Sequence, residues 1–200
     1  MSLIALFFFA FFFSFIGSIP PGSINITTLQ YALEGRRNAG LSFALASALT
    51  EYLYAGIAVR FQIYLTSNES ISQYFSIITG TVLLILGIYN LLKKPTQNLT
   101  TTIGERRHAF KKGVLISLAN PLAIPFWLMV TIYLQSMGWV ELTDQNFWIY
   151  VAGVSTGTFV LLAAVIQLGS KFAAIQGNTF IIYKLPGLIF IAMGLWSFIQ

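Results

Sequence analysis

Six apolar stretches constrain this chain more than any other feature of its sequence. A hydrocarbon core about 30 Å thick is crossed by roughly 20 residues of helix. On that ruler the sequence divides into spans at about 3–33, 39–64, 71–92, 113–137, 146–168 and 182–199. No water reaches a free amide or carbonyl inside a bilayer, so each span is expected as a helix that satisfies its own backbone. Hydrophobic residues make up 56% of the 200 residues and charged residues 8%, whereas soluble domains carry about 25% charged. A soluble core of this size cannot hide so much apolar surface. The fold class is therefore all-α integral membrane. The first stretch is apolar enough for a signal peptide but has no basic start and no small-x-small cleavage site, so it is expected as a retained span.

Orientation follows from the lysines and arginines. Arg36 and Arg37 follow the first span; Lys93, Lys94, Arg106, Arg107, Lys111 and Lys112 follow the third; Lys171 and Lys184 flank the loop between the fifth and sixth. Only Arg60 falls on the other side, with Glu69, Glu141 and Asp144. The basic side is cytoplasmic by this rule, which puts both termini outside a bacterial inner (plasma) membrane. A topology role accounts for the net charge of +5 without a nucleic-acid partner. The 93–112 linker can also touch anionic lipid headgroups.

Two of the spans are interrupted. Pro20, Pro21 and Gly22 break the first, and Asn120-Pro121, one hundred residues after Pro21, breaks the fourth. Each broken span is followed by two unbroken ones. Three spans per half is odd, so the halves enter the membrane from opposite sides. The expected architecture is two inverted three-helix repeats, residues 1–92 and 113–200, joined by a basic linker at 93–112 in one membrane domain. Interrupted helices at matching places in inverted repeats point to a transporter site near the bilayer midplane. Proline has no amide hydrogen, so the carbonyls of Ile16, Gly17, Ser117 and Pro121 are expected to be freed. A helix restarting after each break has unpaired amides that suit a carboxylate, and freed carbonyls suit an ammonium group. An amino-acid-sized zwitterion fits both. Pro21, Gly22, Ser23, Asn25, Asn120 and Pro121 are therefore candidate substrate-binding residues, and Trp127, two residues past Pro125, is a candidate to line the same site. The competing reading is a packing kink whose freed groups are satisfied by neighbouring helices.

Glu51 stands twelve residues into the second span, roughly 18 Å along a helix rising about 1.5 Å per residue. At about 100° per residue, Gly40, Ala44, Ser47, Ala48, Ala55 and Ala58 share its face. Small residues on one face mark a close helix contact or a lined cavity, so Glu51 is expected to point into the bundle. A charge at that depth costs about 2.5–3.5 kcal/mol on insertion scales, which favours proton uptake and release. Glu51 is the candidate proton-coupling residue. Alternatively it is a structural acid held by Asn25, Thr50 or Tyr54. Arg60, on the opposite face near the interface, is a poor partner for it.

Other chemistries find less support. There are no cysteines, and the single histidine, His108, lies in the basic linker. A divalent ion wants several hard oxygen or soft ligands, so no metal site is expected, although a metal-ion transporter stays open as an alternative. No nucleophile–base constellation appears in the spans, so neither enzyme activity nor a cofactor is expected. A non-transporting membrane scaffold is the remaining alternative. Gly153-x-x-x-Gly157 reads as a helix-packing motif. The sequence leaves the oligomeric state open, a homo-oligomer included.

The stretches GSIPPGSINITTLQYALEGRRNAGLSFALASALTEYLYAG and FKKGVLISLANPLAIPFW resemble the LysE-type amino-acid exporters, the lysine and homoserine/threonine exporter group. The matching positions are Pro21-Gly22, Gly35-Arg36-Arg37, Glu51, Phe110 with Gly113, and Asn120-Pro121. Ser23 departs from the pattern, standing where the family has a second proline. The resemblance implies export of amino acids or similar small metabolites driven by the proton gradient.

Overall fold

The computed structural model describes residues 2–19, 22–66, 106–120 and 123–176, with scattered positions between 77 and 92 and between 180 and 195. Its elements are α1 (Leu3–Gly17), α2 (Ser23–Leu33), α3 (Arg37–Thr66), α4 (Arg106–Leu118), α5 (Ala123–Ser136) and α6 (Phe147–Gln176). The interruption expected in the first span falls between α1 and α2, and that in the fourth between α4 and α5, which meet at 65°. α3 and α6 are each long and apolar enough to cross a membrane, and the bent α4–α5 pair passes the same test when its two helices are taken together. The expected spans at 71–92 and 182–199 lie largely outside the described residues.

One boundary differs from expectation. α4 begins at Arg106 rather than at 113, so the end of the expected linker is helical. Ala109, Gly113 and Ser117, spaced by four, are buried on one face of α4, and this face extends the helix back through the basic residues.

α1 packs on α6, and α4 packs on α3. α2 lies chiefly on α6, α5 lies on α3, and α3 and α6 lie against each other. Glycines set how closely these helices approach. A Cβ on Gly153 or Gly157 would overlap the carbonyls of Phe7 and Phe11, and one on Gly113 would stand 2.7 Å from the Phe43 carbonyl. The motif expected for packing therefore seats α6 on α1, and the glycine of the Phe-x-x-Gly element seats α4 on α3. Gly87 and Gly187 touch in the same way: a Cβ on the first would lie 2.8 Å from the other's carbonyl, and a Cβ on the second 2.9 Å from the first's.

The turn after α2 explains the Gly-Arg-Arg element. Gly35 has φ +69, a conformation that glycine adopts without a Cβ clash. The Arg36 amide donates to the Tyr31 carbonyl at 2.9 Å and the Gly35 amide to that of Ala32 at 3.1 Å, closing the helix end in a Schellman-type cap.

α3 carries two opposed faces, as its sequence predicts. Ala44, Ser47, Ala48, Ala55 and Ala58 are all buried. Leu41, Leu45, Leu49, Leu53, Ile57 and Phe61 form an exposed ridge at every fourth residue. A long apolar ridge facing outward suits lipid.

Candidate functional site

The two interruptions come together through one pair of aromatic side chains. Gly17 closes α1 where a Cβ would stand 2.9 Å from Cζ of Phe126. Phe126 packs edge-on against its neighbour Trp127, with ring centroids 5.0 Å apart. Trp127 is buried, and its Nε1 donates a hydrogen bond to the Glu51 carboxylate. A continuous line of contacts therefore runs from the end of α1, through the first turns of α5, to the acid on α3.

Glu51 sits on the small-residue face as expected and is half-buried. Thr50 turns back to the Ala46 carbonyl at 3.0 Å. The Tyr54 hydroxyl donates to the Leu118 carbonyl at 2.9 Å. α3 therefore clasps both sides of the second break, one turn apart: Tyr54 holds the last carbonyl of α4, and Glu51 holds the indole of α5.

Asn25 performs the matching task at the first break. Its Nδ2 donates to the Ser18 carbonyl at 2.7 Å and reaches that of Ile19 at 3.5 Å. The bond pulls the start of α2 back over the end of α1. Two carbonyls expected to be free are occupied: Ile16 accepts from the Ile19 amide, and Ser117 from the Asn120 amide, each at 3.1 Å. Tight local turns thus recover part of what the prolines remove, and the backbone open to a solute is smaller than the sequence implies.

The remaining sequence-predicted positions fall as follows. Pro21 and Pro121 lie outside the described residues. Gly22 precedes α2 with φ −106, and a Cβ there would meet nothing within 4 Å. The break therefore does not depend on a glycine at that position. Ser23, the first residue of α2, is exposed, and Asn120, just past α4, is half-buried. Arg60 is directed away from Glu51, forming an ion pair with Asp144 and lying 4.2 Å over the Phe147 ring.

A hydroxyl chain escaped the sequence reading. Ser14 donates to the Val154 carbonyl at 2.6 Å and shares a 2.9 Å contact with Thr158, which in turn lies 3.4 Å from Ser18. Ser14 and Ser18, one turn apart on an otherwise phenylalanine-rich helix, were the available signal. The chain lines the α1–α6 contact up to the carbonyl that Asn25 holds. Among the described residues no group of three or more His, Cys, Asp or Glu side chains is placed to hold a metal ion.

Residues 5–199 match the LysE type translocator family. The chain is 27% identical over 127 residues to the chemotactic transduction protein ChpE of Pseudomonas aeruginosa, covering 62% of this chain and 63% of that protein. This chain thus aligns with less than two thirds of its relative's length. No solved structure matches. The family match spans nearly the whole chain, both interruptions included, and the chain belongs to the LysE type translocator family.

Proposed function

We propose that this translocator exports amino acids or related small metabolites across a bacterial inner membrane by proton antiport and alternating access. The observation that carries the reading is the hydrogen bond from Trp127 to Glu51, which joins the interrupted α4–α5 span to the unbroken α3. A protonated Glu51 keeps one acceptor oxygen and gains a donor; an ionised one accepts only. Loss of the proton therefore changes what the indole and an arriving ammonium group meet. Asn25, Asn120, Ser23 and the backbone around Pro21, Gly22 and Pro121 form the substrate side of the site, with Trp127 as its wall.

Packing supports two inverted repeats, 1–92 and 113–200. α1 and α2 lie on α6, while α4 and α5 lie on α3, so each broken span rests on an unbroken helix of the other half. Pro21 with Pro121, and Gly87 with Gly187, are each one hundred positions apart. The second pair is in mutual contact, as residues on a pseudo-two-fold axis would be. An even number of spans then leaves both termini on one side, which the positive-inside rule makes the outer one.

The test is uptake into proteoliposomes bearing the purified protein, driven by an imposed pH gradient, against a panel of amino acids. At least one is expected to accumulate only with the gradient present. A panel with no gradient-dependent uptake contradicts the proposal.

The similarity to a protein named for chemotactic transduction favours a second reading, a membrane component of a signalling assembly that moves no solute. Glu51 is then structural, and no amino acid raises the protein's melting temperature in detergent.

A further inference from the structure

α5 and α6 both pack on α3, yet their own backbones do not approach each other closely. Side chains fill the seam between them: Trp127 and Leu134 of α5 meet Ala55 and Ala58 of α3 and Tyr150 and Val151 of α6 in one buried core. Heights along the seam follow from α3 and α6, which run in opposite directions. Ser155 donates to the Ala48 carbonyl at 2.8 Å, Gly56 faces Val151, and Arg60 lies over Phe147. Tyr150 therefore stands beyond Glu51, toward the Thr66 end of α3. On α5, Thr131 is one turn past Trp127, and its hydroxyl donates to the Trp127 carbonyl at 2.6 Å. The Tyr150 hydroxyl comes beside that of Thr131 but closes no hydrogen bond among the described residues. Both side chains are fully buried. Further along, Gln62, itself buried, donates to the Gln135 side chain. Gln62 comes eleven residues after Glu51, about three helical turns, so it shares the face of Glu51, Ala55 and Ala58.

A helix seam in a bilayer closes well with apolar side chains alone. A buried hydroxyl without a partner costs about 1–3 kcal/mol, and a buried polar pair can be replaced by apolar groups of the same shape at little cost. Packing therefore asks for none of these polar groups, yet they stand in line between Glu51 and the end of α3. Hydroxyls both donate and accept, and a buried water needs about two to four polar partners. We propose that the α5–α6 seam is the outer route by which water and the coupling proton reach Glu51, with Tyr150 and Thr131 seating a water on the way and the Gln62–Gln135 pair closing the mouth. The route rests on the export reading, in which Glu51 is the coupling acid. Opening it parts α5 from α3 at the glutamine pair and has no close backbone contact with α6 to undo.

The chain has no cysteine, so a single introduced thiol reports alone. Ala58→Cys places one in the seam between Glu51 and Gln62, and Ala55→Cys, nearer Glu51, serves if the first does not fold. Ala44→Cys, equally buried on α3 but packed with Leu162 and Ile166, is the control. A membrane-impermeant methanethiosulfonate is applied to right-side-out and to inverted membrane vesicles, and modification is timed by mass spectrometry. The seam thiol is expected to react in right-side-out vesicles. Gln135→Ala is expected to speed that reaction about tenfold, a change of about 1.4 kcal/mol in the opening equilibrium, and to leave Ala44→Cys unchanged. Reaction in inverted vesicles alone, a rate indifferent to Gln135→Ala, or equal acceleration at Ala44→Cys overturns the route. Tyr150→Phe removes only the hydroxyl. It is expected to keep the melting temperature in detergent and to lower gradient-driven accumulation relative to solute exchange. A lower melting temperature with accumulation and exchange reduced alike makes the hydroxyl structural and overturns its place in the route. Seam labelling that responds to Gln135→Ala, in a protein that moves no amino acid, keeps the route and removes the export reading. Amino-acid accumulation with seam labelling unmoved does the opposite.

Discussion

Trp127 and Glu51 lie 76 positions apart and are joined by a hydrogen bond from indole to carboxylate. The bond ties a half-helix of a broken span to an unbroken one, so any rearrangement of the α4–α5 break is felt at the acid. Trp127→Phe keeps the ring and removes the donor. A hydrogen bond to a charged group contributes about 1.5–3 kcal/mol. The variant is expected to lose stability within that range, measured as a drop in melting temperature in detergent, and to shift the pH dependence of transport. An unchanged profile would show that the two residues are not coupled.

Asn25→Ala should loosen the first break. It leaves the Ser18 carbonyl, 2.7 Å from the amide in the native chain, without that donor, at a cost of about 1–3 kcal/mol. Hydrogen exchange at the start of α2 is expected to accelerate, while exchange in the middle of α3 is unchanged.

Glycine substitutions should separate close approach from helix breaking. Gly153→Val places side-chain atoms where the Phe7 backbone already stands, and overpacking of this kind costs about 1–3 kcal/mol or more. Gly22→Ala meets no neighbour within 4 Å and has an ordinary φ of −106. It is expected to fold and to resist heating as the parent does. Fluorescence-detected size-exclusion chromatography after graded heating compares the two.

The Arg60–Asp144 ion pair is expected to matter little. Arg60 and Asp144 are 51% and 67% exposed, and surface pairs contribute at most about 1 kcal/mol. Asp144→Asn should lower the melting temperature slightly at low salt and not at all at high salt.

Much of this was legible in the sequence because a bilayer removes alternatives. Apolar length places helices, and prolines place their ends, so α1, α2, α3 and the α4–α5 break fall where pattern puts them. The small-residue face of α3 is legible for the same reason: alanine spacing on a helix fixes which side is buried. What escaped depends on contacts between distant elements. Nothing near Tyr54 in sequence indicates the Leu118 carbonyl 64 positions away. The local recapture of the Ile16 and Ser117 carbonyls depends on turn geometry that a proline pattern leaves unspecified. α4 starts at Arg106, ahead of the apolar stretch, because Ala109 and Gly113 continue a buried face back through the charged residues.

Glu51→Gln in proteoliposomes tests the central claim most directly. Glutamine retains the size and an acceptor for the indole of Trp127 but cannot ionise. The variant is expected to fold, to exchange labelled solute for unlabelled solute across the membrane, and to lose all accumulation driven by a pH gradient. Accumulation at the parent rate under the same gradient would contradict the account.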